Sequence, residues 1–116
     1  MDEELGTGSG DRLRLSRTTE RGRATVAAIG EIDFVASPHL GDALHAAVTD
    51  GVHRLDVDLS QVTFCDCSGL NVLLAARCRC GEAGVAFGVS GPVSPAVLRL
   101  FRATETLADL PVRCAA

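Results

Sequence analysis

Asp66-Cys67-Ser68-Gly69-Leu70 brings a carboxylate, a thiol, a hydroxyl and a glycine into five consecutive residues. Val62-Thr63-Phe64 before it reads as the end of a strand, and the residues after it open an amphipathic helix. A helix start leaves backbone N–H groups unpaired and carries positive potential. Such a point can hold a phosphate, lower a thiol pKa or dock a partner.

The other chemistries that these side chains suggest lack the partners they need. Cys65-x-Cys67 and Cys78-x-Cys80 invite a zinc reading. On one helix, however, Cys67 and Cys78 would stand about 16 Å apart at 1.5 Å rise per residue. Zinc–sulfur bonds are about 2.3 Å, so one ion cannot gather all four sulfurs. A phosphatase-type C-x5-R loop would need arginine where Leu73 stands, and no C-x-x-C redox pair is present. Asp66 opposes thiolate formation at Cys67, and no motif ties His39, His45 or His53 to it. Ser68 has no G-x-S-x-G elbow around it. Gly81, Gly84, Gly88 and Gly91 match neither a dinucleotide nor a phosphate-loop pattern. The residues therefore predict no enzyme, no metal and no cofactor. Asp66 also has a purely structural reading as a helix cap, and Asp33 as the cap of a turn.

The bulk composition narrows the class. The chain has 116 residues, the size of one domain, and 47% are hydrophobic. It carries a net charge of −4, and all 11 of its Lys and Arg positions are arginine. An acidic chain without a basic stripe argues against nucleic acid. No apolar run approaches a membrane span, and the acidic start Met1-Asp2-Glu3-Glu4 is unlike a signal peptide. A cytoplasmic protein without direct membrane insertion is expected. The five cysteines are an odd number in clustered pairs, unlike a secreted disulfide framework.

The elements that must position the motif are read from periodicity. Residues 1–10, ending Gly6-Thr7-Gly8-Ser9-Gly10, read as a flexible leader, and residues 11–116 as one domain. Leu13 and Leu15, the turn Glu20-Arg21-Gly22-Arg23, and Ala24 to Ile32 predict a β-hairpin. Ser37-Pro38 predicts a helix start with serine as cap; Leu40, Ala43, Leu44, Ala47 and Val48 form its apolar face, and Gly51 ends it. Leu55, Val57 and Leu59, alternating with Asp56 and Asp58, predict a strand with one wet face. Leu70, Leu73, Leu74 and Cys78 are expected on one face of the next helix. Val85 to Val89 form a strand, Ser94-Pro95 caps a third helix carrying Val97, Leu100, Phe101 and Thr104, and Leu110-Pro111-Val112 fits an edge strand. The order β-β-α-β-α-β-α, with one further strand at the end, implies an α/β fold. Its mixed sheet has four to five strands and helices on one face.

Four segments in this order carry a resemblance. They are Gly30-Glu31-Ile32-Asp33, the strand Leu55 to Leu59, Phe64-Cys65-Asp66-Cys67-Ser68-Gly69-Leu70, and Val93-Ser94-Pro95-Ala96-Val97-Leu98-Arg99-Leu100-Phe101. Together they resemble the STAS domain, and more narrowly the bacterial anti-sigma factor antagonists, from about residue 12 to 103. The resemblance implies a partner: an anti-sigma factor that is also a serine kinase with a GHKL-type ATP site. Binding it frees a sigma factor and so regulates transcription indirectly. Kinase action on the hydroxyl residue after the motif aspartate breaks the complex, and a PP2C-type phosphatase restores it. The partner surface is then expected at Asp33, Asp66, Cys67, Ser68 and Gly69.

The sequence departs from that pattern where the phosphate should go. The phosphoacceptor-equivalent position is Cys67, and Ser68 matches the position after it. Three readings are open: a constitutive antagonist with an altered or absent phospho-switch, a switch moved to Ser68 as phosphorylation site, or a redox-responsive binding module using Cys67. The resemblance also allows an accessory subunit of a lipid-transport or other membrane-associated complex. A second departure comes after Phe101. Arg102 to Leu107 lacks the family's glycine, and the family's last helix is expected to be missing.

Overall fold

A computed structural model describes residues 2–7, 12–90, 93–103 and 112–113. Six strands form one sheet in chain order: β1 (Asp2–Thr7), β2 (Leu13–Glu20), β3 (Arg23–Ile32), β4 (Arg54–Cys65), β5 (Ala86–Ser90) and β6 (Val112–Arg113). β1, β2 and β3 pair antiparallel, whereas β3, β4, β5 and β6 pair parallel. The parallel pairs need crossovers, and three helices provide them: α1 (Ser37–Thr49), α2 (Cys67–Ala83) and α3 (Pro95–Ala103).

The predicted sheet of four to five strands corresponds to β2 to β6 of this one, and β1 extends it. β1 lies within the segment read as a flexible leader; it is a strand because Asp2 to Glu4 and Thr7 find register against β2. β6 overlaps the expected Leu110-Pro111-Val112 strand only at Val112, since residues 110 and 111 lie outside the described residues. Thr104 and the glycine-free stretch beyond it lie outside them as well.

The hairpin turn is dictated by two residues. Arg21 and Gly22 have φ of 54° and 78°, and Glu20 pairs with Arg23. Both central residues in the left-handed region make the two-residue turn that matches strand twist. His53 closes over it: its N–H donates to the Gly22 carbonyl at 2.7 Å.

The core lies between one face of the sheet and the three helices. Leu13, Leu15, Val26, Leu55, Val57, Leu59 and Val89 meet Leu40, Leu44, Leu73, Val97 and Phe101 there, all buried. Burying each such side chain contributes about 1.5–3 kcal/mol.

β4 sets the position of the Asp66 to Leu70 segment by two irregularities. Its core-facing buried residues are spaced Leu55, Val57, Leu59, Val62, Cys65, so the period changes from two to three. Register against β3 shifts between Ala27 and Ile29 and again between Gly30 and Glu31. Each shift is a bulge that adds one residue to β4 and re-aims the side chains beyond it. At the second shift, Gly30 admits a close approach from the β2 side. Its φ is 113°, and a Cβ there would lie 2.1 Å from the Arg12 carbonyl oxygen.

Three local expectations change. Ser37 does not cap α1. The chain turns into the helix one residue earlier, with Ala36 at the cap position, and the Ala36 N–H is satisfied by Asp33 Oδ1 at 2.8 Å. Ser37 is buried instead. Asp56 does not face water. It is 5% exposed, because Arg54 grips both its oxygens at 2.9 and 3.0 Å and Arg23 approaches from β3. Finally, the buried cysteine of α2 is Cys80, with Cys78 exposed. Leu73, Ala76 and Cys80 fall on one stripe at about 100° per residue, and Cys78 falls opposite.

Candidate functional site

Two loops at the carboxyl ends of β3 and β4 build the site. The first runs from Asp33 to Ala36, and the second is the junction of Cys65 and Asp66 with α2. They are tied together, since the Asp66 N–H donates to the Ile32 carbonyl at 3.2 Å. Parallel pairing of Ile32 with Cys65 brings the two strand ends level.

Asp66 is the N-cap of α2. Its backbone is extended, and its Oδ1 accepts the Ser68 N–H at 2.9 Å and the Gly69 N–H at 3.3 Å. The Ser68 hydroxyl donates to the same oxygen. The Phe34 backbone N–H of the neighbouring loop adds a weaker favourable influence on this carboxylate. Partial burial alone would raise the Asp66 pKa, but these four groups outweigh it and hold the carboxyl below its ordinary value.

Asp33 serves the first loop. Besides accepting from Ala36, its carboxylate accepts from an Arg12 guanidinium nitrogen at 2.7 Å. The Ser37 N–H donates to the Asp33 carbonyl at 2.8 Å. Asp33 therefore shapes the entry to α1 and is neutralised by Arg12.

Gly69 lies beneath the surface. A Cβ at this buried position would stand 2.7 Å from both Cys65 Sγ and Ile32 Cγ2. Its contribution is the close approach of α2 to the β3 end, not an exposed contact.

The two candidate switch residues differ sharply. Cys67 is the first residue of α2 and is exposed. Ser68 is half-buried, and its hydroxyl is spent on Asp66. Cys65, the nearest other sulfur in sequence, is buried. Loss of solvent, then the charge of Asp66 and the neighbouring Cys67, push its thiol up to about 12. A thiol so rarely ionised is a poor resolving partner for Cys67 at neutral pH.

The structure thus brings Asp33, Asp66, Cys67, Ser68 and Gly69 together at one end of the sheet. It adds three residues that the sequence did not single out. Phe34, Val35 and Phe64 are the large hydrophobic side chains exposed among the described residues, at 77%, 55% and 46%. All three sit in or beside these two loops. Sequence alternation assigns no side to Phe64, because the two bulges in β4 change the spacing there from two to three. Among the described residues, no three His, Cys, Asp or Glu side chains group as metal ligands, and no helix is long and apolar enough to cross a membrane.

Comparison with known proteins agrees with this architecture. The family model described as "Mlab, STAS domain" matches residues 15–106. The anti-sigma-F factor antagonist RsfB of Mycobacterium tuberculosis is 33% identical over 79 residues, which cover 68% of this chain. The chain spans 64% of the length of that curated relative. The crystal structure of an anti-sigma factor antagonist from Mycobacterium paratuberculosis superposes with a TM-score of 0.80 at 31% identity, covering 90% of this chain and 88% of that one. The antagonist SpoIIAA in its unphosphorylated form shares the fold, with a TM-score of 0.74 at 19% identity over 90% of this chain and 88% of its own. With the sheet order, the aspartate-capped second helix and a family match over most of its length, the chain belongs to the STAS domain family.

Proposed function

We propose that this chain is an anti-sigma factor antagonist, a binding protein and not a catalyst, whose phosphate-operated off state has been lost. Its partner is an anti-sigma factor with a GHKL-type serine kinase domain, bound through the surface around Asp33 and the start of α2. The names of the mycobacterial relatives support the antagonist reading. The observation that carries the loss of the switch is the pairing of an exposed thiol with an occupied hydroxyl. Cys67 stands first on α2, and the adjacent Ser68 hydroxyl donates to the helix-capping carboxylate of Asp66.

A phosphate on Ser68 would abut the carboxylate that its hydroxyl now serves. About −1.5 to −2 of added charge would repel Asp66 and remove one of its donors. A hydroxyl at position 67 would be free of that contact, but the side chain there is sulfur. Ser68 is thus a capping partner and Cys67 a contact residue. A PP2C-type phosphatase has no phosphate to remove here.

The test is reconstitution. Purified chain is added to a complex of sigma factor and GHKL-type anti-sigma factor from the same genome, and released sigma factor is measured by gel filtration. Stoichiometric release supports the reading. An intact sigma complex with every such anti-sigma factor of that genome contradicts it.

A further inference from the structure

Every large hydrophobic side chain exposed among the described residues lies at one end of the sheet, where the Asp66 N–H ties the start of α2 to the Ile32 carbonyl. We infer that Phe34, Val35 and Phe64 form the apolar centre of the partner interface, with Glu31 as its charged rim. The proposed occupant is the anti-sigma partner, presenting an apolar patch flanked by an arginine or lysine. This rests on the antagonist reading and specifies which chemistry of that surface holds the partner.

The charges around the patch favour this assignment over a polar one. Asp33 is already neutralised by Arg12 and accepts the Ala36 N–H. The Asp66 carboxylate is engaged by the Ser68 N–H and hydroxyl and by the Gly69 N–H. Neither acid offers an unspent charge to a partner. Glu31 differs: it is exposed, and its carboxylate makes no ion pair or hydrogen bond among the described residues. It pairs in register with Phe64, so the two side chains stand on the same face of the sheet. An apolar centre with one free acid at its edge is complemented by an apolar surface with one cation.

The patch is also built, not accidental. The second β4 bulge turns Phe64 outward while keeping Cys65 buried. The carbonyl of Phe34 accepts from the Ser37 hydroxyl at 3.4 Å, and the strand end before the loop is held by the Asp66 N–H on the Ile32 carbonyl. Both phenylalanines are thereby presented on tethered backbone, which reduces the ordering cost of binding. Aromatic side chains at the centre of an interface commonly dominate its affinity.

The test uses the full chain and the GHKL-type anti-sigma factor from the same genome, with Kd measured by titration calorimetry. Phe34→Ser and Phe64→Ser are each expected to weaken binding by about 10-fold or more, and the double variant by about 100-fold. Both positions are exposed, so unchanged melting curves are expected and will separate lost contact from lost fold. Glu31→Arg should slow association, with an effect that shrinks as salt is added. If wild type binds and both phenylalanine variants bind within about twofold of it, this inference fails while the antagonist reading stands. If wild type binds no anti-sigma factor, both fail. If the variants instead convert a wild-type dimer to monomer in sedimentation without altering anti-sigma affinity, the patch is a self-association face and the inference is overturned.

Discussion

The Asp66 backbone N–H donates to the Ile32 carbonyl at 3.2 Å, while the Asp66 carboxylate caps the first turn of α2. A single residue thus caps the helix that carries Cys67 and ties it to the strand end that leads into the Phe34 loop. In sequence these residues are more than thirty positions apart. Parallel pairing of β3 with β4 makes them neighbours, and the bond makes them one surface.

Removing this carboxylate should cost stability in a pH-dependent way. Asp66→Ala loses the cap, and a destabilisation of about 1 kcal/mol is expected at pH 7. The folded-state pKa of Asp66 lies below its unfolded value, which is about 3.9. Its contribution is therefore complete above the unfolded value and is lost as pH falls through the folded one. Urea titrations should show the gap between wild type and variant narrowing below about pH 4.

Two glycines of α2 should respond oppositely to alanine. At Gly69 the new Cβ meets Cys65 and Ile32 at 2.7 Å, inside the core edge. Overpacking of this kind costs about 1–3 kcal/mol. At Gly81 a Cβ meets nothing within 4 Å, and the helix continues to Ala83. There the gain in helix propensity should stabilise the protein by about 0.5–1 kcal/mol. Thermal melts of the two variants decide the signs.

The described cysteines should divide by reactivity. Cys67 and Cys78 are exposed and should alkylate first at neutral pH. Burial raises the pKa of Cys80, and that of Cys65 stands at about 12, so both should resist until the fold opens. Because the folded thiols are the weaker acids, their contribution to stability is complete below the unfolded thiol pKa. It is lost as pH rises toward the folded values. Timed labelling read by mass spectrometry checks the order. Early labelling of Cys65 would contradict its placement against Gly69.

Much of this site is legible in the sequence. Asp66 before a helical run, glycine three positions on, and the Gly30-Glu31-Ile32-Asp33 segment each carry a local signal: a cap, a close approach and a strand end. Long-range register is harder to read. Periodicity alone places Asp56 in water, because a strand's own pattern does not reveal Arg54 and Arg23 folding over it. It also leaves Phe64 without a side, since two bulges in β4 change the alternation on which such a reading depends. Ser37 looks like a cap because Ser-Pro is a strong local motif. Asp33 is better placed for that task once the loop is tied to β3. Phe34 and Val35 come directly after a strand end, where neither a twofold nor a helical period applies.

The most direct test of the proposed loss of the phospho-switch compares wild type with Cys67→Ser in the presence of ATP and the GHKL-type anti-sigma factor proposed as partner. Intact-protein mass and complex size are read together. Wild type is expected to gain no phosphate and stay bound, whereas Cys67→Ser gains one phosphate at position 67 and dissociates. Rapid, stoichiometric phosphorylation of wild type at Ser68, with loss of the complex, would contradict the loss of the switch.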